Sequence, residues 1–242
     1  MCGGRGTRLG GDREKPLVRV GGRAMADRVL GALAASRVDR VYAVVSPHVP
    51  ETRERLVARR DAEGRGVPGA GDDEPPDLTV VDAPGEGYVA DLRHALEEGP
   101  AAPVLTVAAD LPLLDCAAVD AVLDAYAATD ADALSVLVPG ARKRELGASA
   151  DAATDADGGD GGSDRELAPT GVNVVGALDG AGDEAARVTG DARLALNVNY
   201  PADRRLAERL LAGDGPVPLP SGGVDWLDRG VGSAASGRGD PS

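Results

Sequence analysis

The chain opens with MCGGRGTRLGGDREKPL (residues 1–17), which combines closely spaced glycines with basic side chains. Glycine lacks a side chain, so backbone N–H groups in such a loop can surround an anion. Residues 1–28 hold seven basic and three acidic residues, a net charge of +4, whereas the rest of the chain carries −18. The segment therefore predicts a binding loop for a polyanion. The alternative is a glycine-rich turn with solvated arginines.

The spacing of the glycines narrows the kind of loop. A P-loop requires GxxxxGK[ST], and neither Lys-Ser nor Lys-Thr follows these glycines. The dinucleotide fingerprint GxGxxG also fails, because Gly4 and Gly6 are followed by Leu9, and the next glycine, Gly10, comes one position too late. What remains is GGxGTRxG followed by EKPL, a pattern typical of enzymes that join an NTP to a phosphorylated acceptor.

In this interpretation the loop carries both binding and catalytic residues. Arg8 and Lys15 are the candidate catalytic residues, with Arg5 as the alternative to Arg8, because their charge can stabilise the departing pyrophosphate. The residues expected to surround the nucleotide are Gly3, Gly4, Arg5, Gly6 and Thr7.

Composition limits the remaining function classes. The net charge of −14 disfavours nucleic acid and anionic membranes as partners. Two cysteines form neither a disulfide framework nor a zinc site. No apolar stretch approaches the ~20 residues of a membrane span, so we expect a cytoplasmic protein. The acidic, lysine-poor composition indicates adaptation to high salt, or alternatively GC-rich codon bias.

Apolar runs alternate with amphipathic segments, which predicts an α/β fold with a mostly parallel central sheet. The predicted strands are residues 17–20, 39–46, 78–83, 102–110, 132–139, 171–177 and 194–199. The predicted helices are residues 23–37, 50–60, 87–99, 116–128 and 201–213. Residues 1–213 form the predicted domain, with acidic loop insertions at 61–77 and 147–165, and residues 214–242 are expected to be a mobile tail.

Asp110 follows the most hydrophobic predicted strand, in the sequence AADLP. A carboxylate at the carboxyl end of a parallel strand suits a Mg²⁺ ion that bridges phosphate oxygens. The alternative is an aspartate that caps the next turn. Asn197 and Asn199 alternate along a predicted strand and should therefore face opposite sides. Neither histidine, His48 or His94, supports a Ser-His-Asp site.

Six blocks of sequence carry a wider resemblance. They are GGRGTRLGG with EKPL, VVSPHVPETRERL (44–56), VDAPGEGYVADL (81–92), VAADLPLL (107–114), LAPTGVNVVG (167–176) and LNVNYPADRRLAERLL (196–211). In this order they resemble the archaeal GTP:adenosylcobinamide-phosphate guanylyltransferase family, within the MobA-like NTP transferase superfamily. The resemblance implies a Rossmann-like, three-layer nucleotidyltransferase fold.

The resemblance also implies an activity and its site. GMP would pass from GTP to adenosylcobinamide phosphate, with Asp110 and Asn199 holding Mg²⁺ and no general base required. Gly85 and Gly87 would let backbone groups approach the base, or else form a plain turn. Asn173 would lie near the acceptor or ribose, or else be a polar residue within a strand. A homodimer is a further expectation.

Two other functions remain open at this stage. One is transfer of GMP to molybdopterin, or of another NMP to a sugar or polyol phosphate. The other is a catalytically silent nucleotide-binding module.

In the family, a hydrophobic strand precedes the glycine loop and lies centrally in the sheet, whereas here the loop begins at Gly3. We therefore expect the recorded start to be too late and the native chain to carry several further apolar residues.

Overall fold

A computed structural model describes residues 1–3, 6, 8–10, 13–63, 77–149, 166–176 and 182–227. The strands are β1 (Arg19–Val20), β2 (Arg23–Ala24), β3 (Arg40–Val45), β4 (Asp77–Asp82), β5 (Val104–Val107), β6 (Ala133–Pro139), β7 (Leu167–Val175) and β8 (Glu184–Val188). The helices are α1 (Met25–Ala34), α2 (Pro50–Glu63), α3 (Tyr88–Glu98), α4 (Cys116–Ala127), α5 (Gly140–Leu146), α6 (Ala192–Ala195) and α7 (Pro201–Ala212). From β2 to β7 strands and helices alternate along the chain.

Several helix ends lie where the sequence predicts them. Asp115 is the N-cap of α4, and its side chain accepts a hydrogen bond from the Ala118 backbone N–H at 2.9 Å. Helix α7 begins at Pro201 and ends before Gly213, which adopts a left-handed conformation with φ of 81°. Within the described ranges, no helix has the length and apolar character needed to cross a bilayer.

The main strands form two sheets, one parallel and one with mixed strand directions. Strands β3 and β4 pair in parallel. The second sheet has the order β5-β7-β6-β8, in which β6 and β8 are parallel and β7 runs antiparallel to both of its neighbours. The expectation of a mostly parallel sheet is thus met only in part. The reason is that β7 returns beside β6 in the opposite direction, and an apolar strand pattern does not record that choice.

The two sheets meet at the first two residues of the chain. The Met1 ammonium donates to the Val107 carbonyl at 2.8 Å, and the Ala109 N–H donates to the Met1 carbonyl at 3.2 Å. On the other side, the Cys2 N–H donates to the Val44 carbonyl at 2.8 Å. Residues 1–2 therefore lie as a very short strand between β3 and β5.

A cavity of about 730 Å³ lies next to Met1, in the space between β3 and β5. Its lining includes Met1, residues 38–44 and residues 103–107. An additional strand in this space would find backbone partners on both sides and apolar walls.

We expect an engineered extension before Met1 to stabilise the fold. About five added residues of Val and Ile would span this part of the cavity. They would gain several hydrogen bonds and bury apolar surface, so the melting temperature should rise by roughly 5 °C or more. Thermal unfolding followed by circular dichroism measures the change.

A Gly-Ser extension of equal length is the control, because it can pair but adds no apolar side chains. Equal melting temperatures for the apolar extension and the unextended chain would show that this space does not accept a strand.

Aliphatic side chains fill the core on both faces of β3. Val41, Ala43 and Val45 belong to the main apolar cluster, together with residues of α1 and α4. Val44 packs on the opposite face in a smaller cluster that includes Ala95 of α3. Helices thus cover both faces of this part of the sheet, as in a three-layer α/β fold.

Other sequence expectations need correction. Residues 194–199 do not form the predicted strand. The first two belong to α6, which ends at Ala195, and residues 196–199 are irregular. Helix α2 continues to Glu63, into the first expected insertion, and residues 64–76 and 150–165 lie outside the described residues. Residues 214–227, expected to be part of a mobile tail, pack onto the domain, where the Leu227 N–H donates to the Val188 carbonyl at 2.7 Å. Residues 228–242 are not described.

Candidate active site

Lys15 and Asp110 lie together at the centre of the candidate site. The Lys15 Nζ donates to Asp110 Oδ2 at 2.6 Å and to Asn199 Oδ1 at 2.7 Å. The exposed fractions of the Lys15 and Asp110 side chains are 16% and 18%, so the pair is half-buried yet open to a ligand. The structure therefore joins three residues that the sequence predicted from separate parts of the chain.

Lys15 is positioned by the residues around it. Glu14 accepts hydrogen bonds from the Glu51 and Thr52 backbone N–H groups at 2.8 and 2.6 Å, which fixes the EKPL segment to the start of α2. Gly6 has φ of +68°, and a Cβ at this position would lie 2.9 Å from the Lys15 Cβ. A larger residue at position 6 would therefore displace Lys15.

Asn197 also contacts Asp110, contrary to the expectation that the two asparagines face opposite sides. Its Nδ2 donates to Asp110 Oδ1 at 3.2 Å, while Asn199 accepts from Lys15. The alternation rule fails because residues 196–199 are irregular, and the Val198 N–H donates to the Asp110 backbone carbonyl at 2.9 Å. Asn197 therefore contacts the Asp110 carboxylate directly, and Asn199 is joined to it through Lys15.

Asp203 holds the backbone of this asparagine segment. Its carboxylate is buried and accepts hydrogen bonds from the Asn199 and Tyr200 backbone N–H groups at 3.0 and 2.8 Å. The Ser149 Oγ also donates to Asp203, at 2.9 Å. The sequence analysis did not single out Asp203, although an aspartate at the third position of a helix that begins with proline is a capping signal.

Lys143 is a second lysine of the site that the sequence analysis did not single out. It lies on α5, its exposed fraction is 3%, and its Nζ donates to Asn197 Oδ1 at 3.1 Å. Burial lowers the pKa of this ammonium, and the nearby Asp110 and Asp203 carboxylates oppose that shift. The sequence signal was available, since Lys15 and Lys143 are the chain's two lysines.

The donor set fits a hard divalent cation. Asp110 Oδ2 and Asn199 Oδ1 both aim at one point, which the Lys15 ammonium occupies as a cation in this structure. Carboxylate and amide oxygens are ligands that Mg²⁺ accepts. In the described part of the chain no group of three or more His, Cys, Asp or Glu side chains could hold a metal. Substrate phosphates would therefore have to complete the coordination, which is usual for Mg²⁺.

Two loops that the sequence assigned to nucleotide binding lie side by side. Asp91 Oδ1 accepts from the Gly85 and Glu86 backbone N–H groups at 2.8 and 3.2 Å. A Cβ at Gly3 would lie 3.5 Å from the other oxygen of Asp91. Asp91 thus connects the glycine loop with the loop that contains Gly85 and Gly87.

The remaining predicted residues fall in different places. Arg8 is exposed, in a turn closed by a hydrogen bond from the Leu9 N–H to the Gly6 carbonyl at 3.0 Å. Asn173 lies within β7, where its Oδ1 accepts from the Val136 N–H at 3.3 Å, beside the irregularity in the β6–β7 pairing. This contact supports the sheet and does not join Asn173 to Asp110. Gly4, Arg5 and Thr7 lie outside the described residues, and all nucleotide-binding roles stay predictions.

Comparison with known proteins identifies relatives. The model of the MobA-like NTP transferase domain matches residues 1–173. The chain is 30% identical over 221 residues to the adenosylcobinamide-phosphate guanylyltransferase of Methanocaldococcus jannaschii, an alignment that covers 89% of this chain and 97% of the relative.

Solved structures show the same fold at low sequence identity. HddC from Yersinia pseudotuberculosis superposes with a TM-score of 0.54 at 15% identity, covering 85% of this chain and 93% of that chain. A CMP:2-keto-3-deoxy-manno-octonic acid synthetase complexed with CTP has a TM-score of 0.54 at 12% identity, covering 86% and 96%. These likenesses establish a Rossmann-like nucleotidyltransferase fold.

Proposed function

The chain belongs to the MobA-like NTP transferase family, and from this premise we propose that it transfers GMP from GTP to adenosylcobinamide phosphate. The products are adenosylcobinamide-GDP and pyrophosphate. The observation that carries the proposal is the convergence of Lys15, Asp110 and Asn199, beside the glycine loop of a chain that aligns with a named guanylyltransferase over 89% of its length.

The proposed chemistry needs no covalent enzyme intermediate. The acceptor is a phosphate monoester, largely dianionic near neutral pH, so an acceptor phosphate oxygen can attack the α-phosphorus of GTP directly. The bond between the α-phosphorus and the bridging oxygen breaks, and pyrophosphate departs with that oxygen. Catalysis then depends on alignment and on neutralising charge.

Each site residue has a part in that reaction. The glycine loop and Arg8 bind the triphosphate, and Lys15 donates to the phosphates on which negative charge accumulates. Asp110 and Asn199 would hold Mg²⁺, which would neutralise charge on the phosphate oxygens. The loop of Gly85 and Gly87 presents backbone groups to the base.

The setting of the enzyme is part of the proposal. GTP is a cytoplasmic nucleotide, so we place the activity in the cytoplasm. The acidic surface implied by a net charge of −14 suits molar salt, where we expect the highest activity. A homodimer is the proposed assembly, which light scattering of the purified chain would establish or exclude.

A panel of donors and acceptors tests the assignment of substrates. Pyrophosphate release is measured in molar salt with Mg²⁺, with each of the four NTPs, with and without adenosylcobinamide phosphate. Release that requires both GTP and this acceptor is the expected result. Release with GTP and molybdopterin, or with another NTP and a sugar phosphate, would contradict the assigned acceptor. Tight GTP binding without release with any acceptor would favour a silent module.

A further inference from the structure

Lys143 carries a buried charge that the proposed reaction does not use. Its exposed fraction is 3%, and it forms no ion pair with a carboxylate among the residues that the structure describes. An ammonium in such a position costs free energy of desolvation. The chain otherwise uses arginine almost throughout, since two of its 26 Lys and Arg residues are lysines. Lys15 contacts Asp110 directly, and Lys143 is linked to it through Asn197.

The contacts of Asn197 show what Lys143 can do. Lys143 Nζ donates to Asn197 Oδ1 at 3.1 Å, while Asn197 Nδ2 donates to Asp110 Oδ1 at 3.2 Å and to the Thr170 carbonyl at 3.0 Å. A carboxamide has one accepting and one donating end. A lysine ammonium can only donate, whereas the Asp110 carboxylate and the Thr170 carbonyl can only accept. Together these three contacts hold the oxygen of Asn197 on the side of Lys143 and its NH₂ group on the side of Asp110.

We propose that Lys143 is a positioning residue that acts through Asn197 on Asp110. Holding the Asn197 amide in one orientation keeps a donor on Asp110 Oδ1. Asp110 Oδ2 then remains directed at the point shared by Lys15 and Asn199. Without Lys143 the Asn197 oxygen loses its donor, so the amide is held only through its NH₂ group and can tilt, which weakens its hold on Asp110 Oδ1. The effect on catalysis rests on the proposed function, whereas the effect on Asn197 does not.

The chain offers an unusually direct measurement of Asn197. It contains three asparagines, Asn173, Asn197 and Asn199, and no glutamine. A ¹H–¹⁵N spectrum of the full chain therefore has three side-chain NH₂ pairs, which single asparagine variants assign. Lys143→Met removes the donor and keeps a similar volume. Arg144→Met, on the neighbouring and exposed residue of α5, is the matched control.

We expect Lys143→Met to shift or exchange-broaden the Asn197 NH₂ pair, while Arg144→Met leaves it unchanged. Asp110→Ala should shift the same pair, because it removes the acceptor. The melting temperature of Lys143→Met should equal or exceed that of the wild type, since an apolar isostere avoids the desolvation cost. An unchanged Asn197 pair in Lys143→Met, or a Lys143→Met chain that fails to fold, would overturn the proposal.

Kinetics give an independent readout. Lys143→Met should lower kcat by about tenfold, with KM for GTP changed by less than about twofold. The double variant Lys143→Met/Asn197→Leu should be no slower than Asn197→Leu alone, because both residues act along one path. If the reductions in kcat of the two single variants multiplied in the double variant, Lys143 would not act through Asn197. If the wild type transfers no GMP, the proposed function fails, and the spectra still decide the role of Lys143.

Discussion

Asp110→Asn is expected to reduce nucleotidyl transfer by at least about 10³-fold while the fold survives. Asp110 supplies the carboxylate of the candidate metal site, and its two oxygens accept from Lys15 and Asn197. Asparagine keeps the volume but replaces one oxygen with an NH₂ group and removes the negative charge. Because the side chain is 18% exposed, the site can rehydrate without loss of the core. Pyrophosphate release and thermal unfolding measure the two effects.

Asp124→Asn is the control for this prediction. Asp124 lies on α4 and pairs with Arg37 at the surface, with a side-chain exposure of 67%. Surface pairs of this kind contribute little to stability, so its activity should equal that of the wild type. If Asp110→Asn kept more than about a tenth of the wild-type turnover, the role of Asp110 in holding a metal would be refuted.

Lys15→Met should have two opposite effects. Turnover should fall by about 10²- to 10³-fold, because a donor to the developing charge on the phosphates is lost. Binding of Mn²⁺ to the free protein should become tighter, by roughly fivefold, since an ammonium no longer lies between Asp110 Oδ2 and Asn199 Oδ1. Steady-state kinetics and paramagnetic titration with Mn²⁺ provide the two measurements.

Arg19→Met belongs to the same basic segment and serves as the comparison. Its guanidinium donates to the Gly22 carbonyl at the surface, at 2.8 Å. We expect this variant to match the wild type in both assays. Weaker Mn²⁺ binding in Lys15→Met would mean that Lys15 and the metal do not compete for the same oxygens, and it would require another role for Lys15.

Much of the order of strands and helices was predictable because local signals mark it, although α5, β8 and α6 were not predicted. The apolar run of β3, the aspartate before α4 and the proline that opens α7 each point to one local structure. The direction of β7 was not predictable in this way. The apolar residues of β7 would be buried equally in a parallel or an antiparallel pairing. The direction of β7 is therefore set only by contacts with residues distant in sequence.

The centre of the site was predictable, but its extent was not. Lys15 and Asp110 stand out because a basic residue after a glycine loop and a carboxylate after a buried strand each suggest phosphate chemistry. Asn197 was misjudged because the apolar run LALNVN reads equally well as a buried strand or a short buried helix. Asp191 favours the helix because it is the N-cap of α6, where its side chain accepts a hydrogen bond of 2.9 Å from the Arg193 N–H. Lys143 comes close to Asp110 only through the packing of α5.

The fate of the α-phosphate of GTP gives the most direct test of nucleotidyl transfer by this protein. The wild-type chain is incubated in molar salt and Mg²⁺ with adenosylcobinamide phosphate and GTP labelled at the α-phosphate, and in parallel with GTP labelled at the γ-phosphate. We expect the α-label to enter the corrinoid product, with one pyrophosphate released per transferred label, and the γ-label to leave with the pyrophosphate. Transfer of the γ-label to the corrinoid, or an α-label that remains in free nucleotide, would contradict nucleotidyl transfer by this protein.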